Sequence, residues 1–291
     1  MHPSSLFTKS NNLGDSGLVD IDLLRSSTIY TTATKYRYTM CGIFCSLSRT
    51  SHVSPDADVL QLLQRRGPDS TSCAQHTFGD DCEETSLQGE NGGKIFLNFT
   101  STVLSLRGSR TVSQPLQNSD GSHVLCWNGE AWSIAAHPAK GNDTEAVFTL
   151  LSAATSQSRA ANSSDQDTSD TIAKHMATTA GPYAFVFFDR HAGKLYLGRD
   201  FLGRRALLWR TNESGDLLIS SVTSGSHDNA WSEIEADGIY CIDLHVASQQ
   251  AEISNQALGA PSSFAISKVP YHVATHGDES KTSGTFSVGD Q

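Results

Sequence analysis

Met40-Cys41-Gly42 opens an apolar run, MCGIFCSL, and places a thiol where loss of one methionine would make it a first residue. A cysteine thiol with a pKa of about 8.5 and a free α-amine of about 8 are well matched. The amine of such a residue can therefore take the thiol proton at neutral pH. A nitrogen inside a peptide bond has no such basicity, so this chemistry needs a chain that starts at Cys41. The other reading of Cys41 is a core residue, because cysteine is among the most buried types. Cys45, Cys126 and Cys241 take that core reading. Asn128-Gly129, taken alone, reads as a turn, and Asp143 as the N-cap of a helix.

The elements that must position these residues follow from periodicity. GIFCSL (42–47) reads as a buried strand, and DVLQLLQRRG (58–67) as a helix stopped by Gly67-Pro68. KIFLNF (94–99) and TVLSL (102–106) read as two strands and HVLCW (123–127) as a third. DTEAVFTLLSAA (143–154) is an amphipathic helix, with Asp143 as N-cap and Glu145 near its positive end. Residues 155–170, TSQSRAANSSDQDTSD, read as a polar surface insertion without an apolar anchor. After a short helix near 171–179, YAFVFFD (183–189) and KLYLGRD (194–200) flank a hairpin at 190–193. ALLW (206–209), DLLISSV (216–222) and GIYCIDL (238–244) add further strands. Many strands without βαβ alternation give an α+β class with antiparallel sheets. The folded domain is expected over 41–245. Residues 1–40 read as a disordered leader or a mis-assigned start, and 246–291 as a disordered tail.

Composition narrows the partners. The 291-residue chain has a formal net charge of −10 and no basic stripe, which argues against nucleic acid. No run approaches the roughly 18–20 apolar residues of a membrane span. Without a secretory signal the expected location is the cytoplasm, where the six cysteines stay reduced. None forms a C-x-x-C pair, so no metal site is expected. No Gly-rich phosphate loop follows any strand. Asn98-Phe-Thr and Asn142-Asp-Thr fit a glycosylation pattern that the expected location makes accidental.

Six patches stand in order along the chain: MCGIF (40–44), RRGPDS (65–70), LRG with QPL (106–108, 114–116), WNGEAW (127–132), GNDTEA (141–146) and GRDFLGRRALLW (198–209). Together they resemble the class II glutamine amidotransferase domain of the asparagine synthetase family. The resemblance implies an N-terminal nucleophile hydrolase sandwich, two antiparallel β-sheets between helical layers. It implies hydrolysis of the glutamine side-chain amide to glutamate and ammonia through a thioester, in association with asparagine biosynthesis. Cys41 would be the nucleophile and its α-amine the base. Asn128 and Gly129 would form the oxyanion hole, with Glu130 completing that motif. Arg107 would pair with the substrate carboxylate and Asp143 with its α-ammonium.

The implied roles suit the residue types. A fixed Asn amide and a backbone N–H can stabilise the oxyanion, and losing one such donor costs about 3 kcal/mol. The planar fork of Arg107 matches a carboxylate, and Gly129 allows close approach of the backbone. Arg66 and Asp69 are expected to brace the pocket loop, and Arg199 and Asp200 to form a structural turn.

Two features depart from the family pattern. Residues stand before Cys41, so they must be absent for catalysis: translation starts at Met40, a leader is cleaved, or the domain is silent. The alternative function is accordingly a catalytically silent binding or interaction module with Cys41 blocked. The Ser-Gly-Gly-x-Asp-Ser loop of the synthetase domain is not in the sequence. ATP and Mg would belong to that domain, and no cofactor is expected for this one. The expected partners are L-glutamine and a separately supplied synthetase domain or subunit.

Overall fold

The computed structural model describes residues 40–79, 93–224, 231–249 and 264–271. Residues 1–39 of the expected 1–40 leader, and Cys82, lie outside the described residues. One six-stranded sheet has the order β12-β10-β11-β1-β3-β2 and the other β14-β13-β9-β8-β5-β4. The first is built from β1 (Gly42–Ser48), β2 (Ser70–Phe78), β3 (Ile95–Val103), β10 (Leu208–Thr211), β11 (Leu217–Ser220) and β12 (Ser232–Glu233). The second uses β4 (Leu116–Gln117), β5 (His123–Gly129), β8 (Tyr183–Asp189), β9 (Lys194–Arg199), β13 (Gly238–Asp243) and β14 (Ile266–Pro270). Every neighbouring pair in both sheets is antiparallel. Short strands β6 (Ser133–Ile134) and β7 (His137–Pro138) form a small ribbon.

Alternation along the strands assigns the layers. Ile43, Cys45 and Leu47 of β1 share one core with Val124 and Cys126 of β5 and Ala184, Val186 and Phe188 of β8. Phe44, on the opposite face of β1, packs with Val59 and Leu63 of α1 (Ala57–Arg66). Leu125, Trp127, Phe185 and Phe187 face away from the other sheet, toward Val147 and Leu151 of α2 (Asp143–Ala160) and Ile172 and Met176 of α3 (Asp165–Ala177). The result is the expected α+β sandwich, with two antiparallel sheets between helical layers. Both faces of β8 are covered, which is why YAFVFFD is a continuous apolar run.

Four local expectations are corrected. Residues 94–106 hold one strand, not two: Thr100 pairs with both Phe44 and Cys73, so β3 runs unbroken between its neighbours. Two of its polar residues find side-chain partners, Asn98 Nδ2 donating to Thr100 Oγ1 (3.1 Å) and Thr102 Oγ1 to Leu63 O of the Ala57–Arg66 helix (2.6 Å). The stretch 155–170 is largely helical, not an unanchored surface segment. It contains the end of α2 and the start of α3, the latter fixed by a Ser164–Asp167 capping box. Small hydroxyl residues there bury by bonding their own helix, as Ser169 Oγ does to Asp165 O (2.9 Å). The N-cap of α2 is Asn142, whose side chain accepts from Glu145 N, while Asp143 lies inside the first turn. The fold also extends past 245, because β14 pairs with β13 along its length and sends Val269 into the core.

Asn98 of the first glycosylation pattern is 1% exposed within β3, so the folded chain cannot present it. Among the described residues, no helix is long and apolar enough to cross a membrane.

Candidate active site

Glycine fixes where β1 begins. A Cβ on Gly42 would stand 2.5 Å from Thr102 Oγ1 and 2.7 Å from Leu63 Cδ2, closer than atoms can approach. A Cβ on Gly67 would meet the Thr102 backbone at 2.4 Å. These two glycines let α1 lie directly on the ends of β1 and β3. Cys41 is thereby held beside Leu104, whose carbonyl accepts from its Sγ at 3.7 Å. Asp69 braces the same loop, its Oδ2 accepting from Ser105 N (2.7 Å), and Arg66 donates to Ser221 O (2.8 Å).

Burial pushes the Cys41 thiol up from its ordinary value. The Leu104 hydrogen bond opposes the rise, the Asp143 charge adds to it, and the Arg66 charge pulls the other way. Its neighbours in sequence type differ sharply. Cys45 is fully buried with a thiol raised well above the usual range, and Cys126 is pushed up to about 12.

The start of α2 supplies the anionic wall. Because Asn142 caps the helix, the carboxylate of Asp143 is free to turn inward. It is buried, and its Oδ2 accepts from Trp127 Nε1 (3.1 Å) and Ala131 N (2.9 Å). Arg107 donates to the other side of the same residue, Ala131 O, at 2.5 Å. Among the described residues neither Asp143 nor Arg107 enters an ion pair. An unanswered carboxylate and an unanswered guanidinium thus border one recess with Cys41, Asn128, Gly129 and Glu130.

Asn128 is the penultimate residue of β5, its backbone in register with Ala184, yet its buried side-chain Nδ2 has no hydrogen-bond partner. A buried donor left unmade costs about 1–3 kcal/mol, so this group is positioned for something other than the protein. Gly129 also serves packing. A Cβ there would strike the Trp127 ring at 2.7 Å and Tyr183 Cβ at 2.8 Å. Glu130 donates its backbone N–H to Pro182 O (2.9 Å) and lines the recess with Arg205.

The recess therefore brings together all six residues singled out from the sequence: Cys41, Arg107, Asn128, Gly129, Glu130 and Asp143. Arg199 and Asp200 stand behind it as the expected turn. Arg199 donates to Arg205 O (2.6 Å), Ile234 O (2.8 Å) and Gly203 O, and Asp200 holds Arg204 Nε at 2.8 Å. Sequence reasoning passed over Gln114, Trp127, Ala131 and Thr144. Gln114 Oε1 accepts from Trp127 N (2.7 Å) and its Nε2 donates to Thr144 Oγ1 (3.2 Å), tying the end of β5 to the start of α2. The signal for Gln114 and Trp127 was their place in the QPL and WNGE patches.

Residues 101–225 match the family described as a glutamine amidotransferase domain. This segment of the chain is a glutamine amidotransferase domain. The matched segment contains Arg107, Asn128–Glu130 and Asp143 and does not reach Cys41. Its relatives are asparagine synthetase domain-containing protein 1 of Bos taurus, 36% identical over 72% of this chain and 29% of that one, and that of Homo sapiens, 34% identical over 70% and 28%. The chain thus spans less than a third of the length of these relatives. Among solved structures, a glutamine phosphoribosylpyrophosphate amidotransferase from B. subtilis, complexed with ADP and GMP, is 20% identical over 70% of this chain and 47% of that one, with a TM-score of 0.42.

Proposed function

We propose that the domain hydrolyses the side-chain amide of L-glutamine, with Cys41 as nucleophile, once the residues before it are absent. The carrying observation is the recess that joins a thiol, an orphaned amide donor and two unpaired charges of opposite sign. A free amino acid offers the complement: a carboxylate for Arg107 and an ammonium for Asp143. The free α-amine of Cys41 takes the thiol proton, and sulfur adds to the amide carbon. Asn128 Nδ2 and the Gly129 N–H receive the oxyanion. The C–N bond breaks, the α-ammonium returns its proton, and ammonia leaves a thioester. Water then attacks the thioester, releasing glutamate and restoring the thiol. The names of the relatives suggest asparagine formation as the use of the ammonia, at a synthetase domain or subunit.

The test is covalent trapping by a glutamine analogue with a diazoketone in place of the side-chain amide. A chain beginning at Cys41 should gain one adduct, mapped by mass spectrometry to Cys41 and suppressed by excess L-glutamine. Labelling that glutamine does not suppress would reject the reading. One observation favours a silent binding module instead: Met40 itself lines the recess, and Cys41 N in a peptide bond supplies no base. Retention of residues before Cys41 in the protein from its native cells would select that second reading.

A further inference from the structure

We propose that Trp127 is a positioning residue that makes the pocket select a free α-ammonium group, an inference that rests on the glutamine reading above and extends it to a residue outside the reacting set. A buried carboxylate selects for a cation only if it keeps its full charge and points at one place. Asp143 is 5% exposed, and both its hydrogen bonds fall on Oδ2, from the Trp127 indole and the Ala131 amide. Those donors are neutral. They fix the plane of the carboxylate without cancelling its charge, as a Lys or Arg would, and leave Oδ1 for the ligand. An indole N–H is a donor only, so it cannot pair with the incoming ammonium itself.

The indole has one seat. Trp127 is 1% exposed and stacks on Tyr183 with ring centroids 5.2 Å apart and planes 18° from parallel. The absent side chain of Gly129 leaves the space that its ring edge fills. Gln114 holds its backbone N–H, and Tyr183 is anchored in turn through its hydroxyl to Met176 O (2.7 Å). A donor held on three sides sets the direction of the carboxylate before any ligand arrives, which is what pre-organisation requires.

The experiment compares wild type with Trp127→Phe, both in a chain beginning at Cys41, on L-glutamine and on glutaramate, its analogue without the α-amine. Phenylalanine keeps an aromatic face for the stack, removes the N–H and gives up part of the ring volume, a packing loss that acts on both compounds alike. We expect kcat/KM for glutamine to fall about tenfold, mainly through KM, with glutaramate changed less than about twofold. Equal losses on both compounds, or none on either, would overturn the inference while leaving glutamine hydrolysis intact. A wild type that neither binds nor turns over glutamine would remove the glutamine reading, and this inference with it. Should the variant misfold, the wild-type Trp127 indole proton in NMR gives the answer. It should shift on titration with glutamine and stay in place with glutaramate, and identical shifts would count against the role.

Discussion

The two ends of β5 and β8 both carry charge, and they differ in how it is answered. At the His123↔Asp189 end, Lys194 is held between Asp165 (2.8 Å) and Asp243 (2.5 Å). There Asp189 also accepts from the backbone of His191 (3.0 Å) and Ala192 (3.2 Å) and lies near His123 and Arg159. At the Gly129↔Tyr183 end, among the described residues Asp143 and Arg107 meet only neutral partners and no counter-charge, and Asn128 Nδ2 has no acceptor. Helix α2 joins the two ends, with Asp143 in its first turn and Arg159 in its last. Burial alone therefore does not mark a site. Answered charges hold the hairpin together, and unanswered ones define the recess.

The largest expected effect falls on the unanswered end. Asn128→Ala should lower kcat for glutamine by about 10²–10³-fold, read by ammonia release. Its melting temperature should hold or rise slightly, since the lost donor bonds nothing in the protein. A parallel loss of stability would place Asn128 with the structural charges.

A pair of variants sharpens the contrast. Asp143→Asn should raise KM for glutamine about 10–100-fold, with little change in denaturant midpoint. Lys194→Met should do the opposite, costing about 1–2 kcal/mol of stability by leaving two carboxylates without their cation, with KM unchanged. That figure sits low for a buried pair because Asp165 is 75% exposed. Crossed outcomes would erase the distinction between the two ends.

The smallest effect is a pH dependence. Burial pushes Lys194 down, but its hydrogen bonds to Asp165 and Asp243, with their charges, outweigh it and lift the ammonium above its ordinary value. Burial pushes Asp243 up, and the bond and charge of Lys194 more than reverse that, holding the carboxyl low. A raised lysine stabilises below about 10.4 and loses that contribution as pH climbs through its folded value. A depressed carboxyl stabilises above about 3.9 and loses its contribution as pH falls through its folded value. The contribution of this pair should therefore be flat over roughly pH 5–9 and fall on both flanks. Lys194→Met should make both flanks shallower, by less than about 1 kcal/mol. An unchanged profile would show the pair to be idle.

Much of this was legible in the sequence where local chemistry decides. Strands buried on both faces print as apolar runs, so β1, β5 and the β8–β9 hairpin were evident. Cys41, Asn128 and Asp143 were singled out through the family resemblance, since taken alone they read as a core residue, a turn and a helix cap. Tertiary contact decided the rest. Asn142 and Asp143 are both good helix caps, and only the Trp127 and Ala131 donors turn Asp143 inward. The α2–α3 region looks too polar to order, since hydropathy does not register hydroxyls bonded to their own helix. β14 is short and carries Lys268, whose Glu235 and Asp237 partners lie across the sheet. Nothing near it in sequence signals that pairing.

The central claim is that this recess hydrolyses glutamine through Cys41 when, and only when, that residue bears a free amine. The direct measurement is glutamate and ammonia release from L-glutamine by a chain beginning at Cys41, beside one that retains Met40 and the residues before it. The account predicts turnover in the first and at least about a hundredfold less in the second. Equal turnover in both would show that the amine is not the base. No turnover in a correctly folded chain beginning at Cys41 would contradict the account outright.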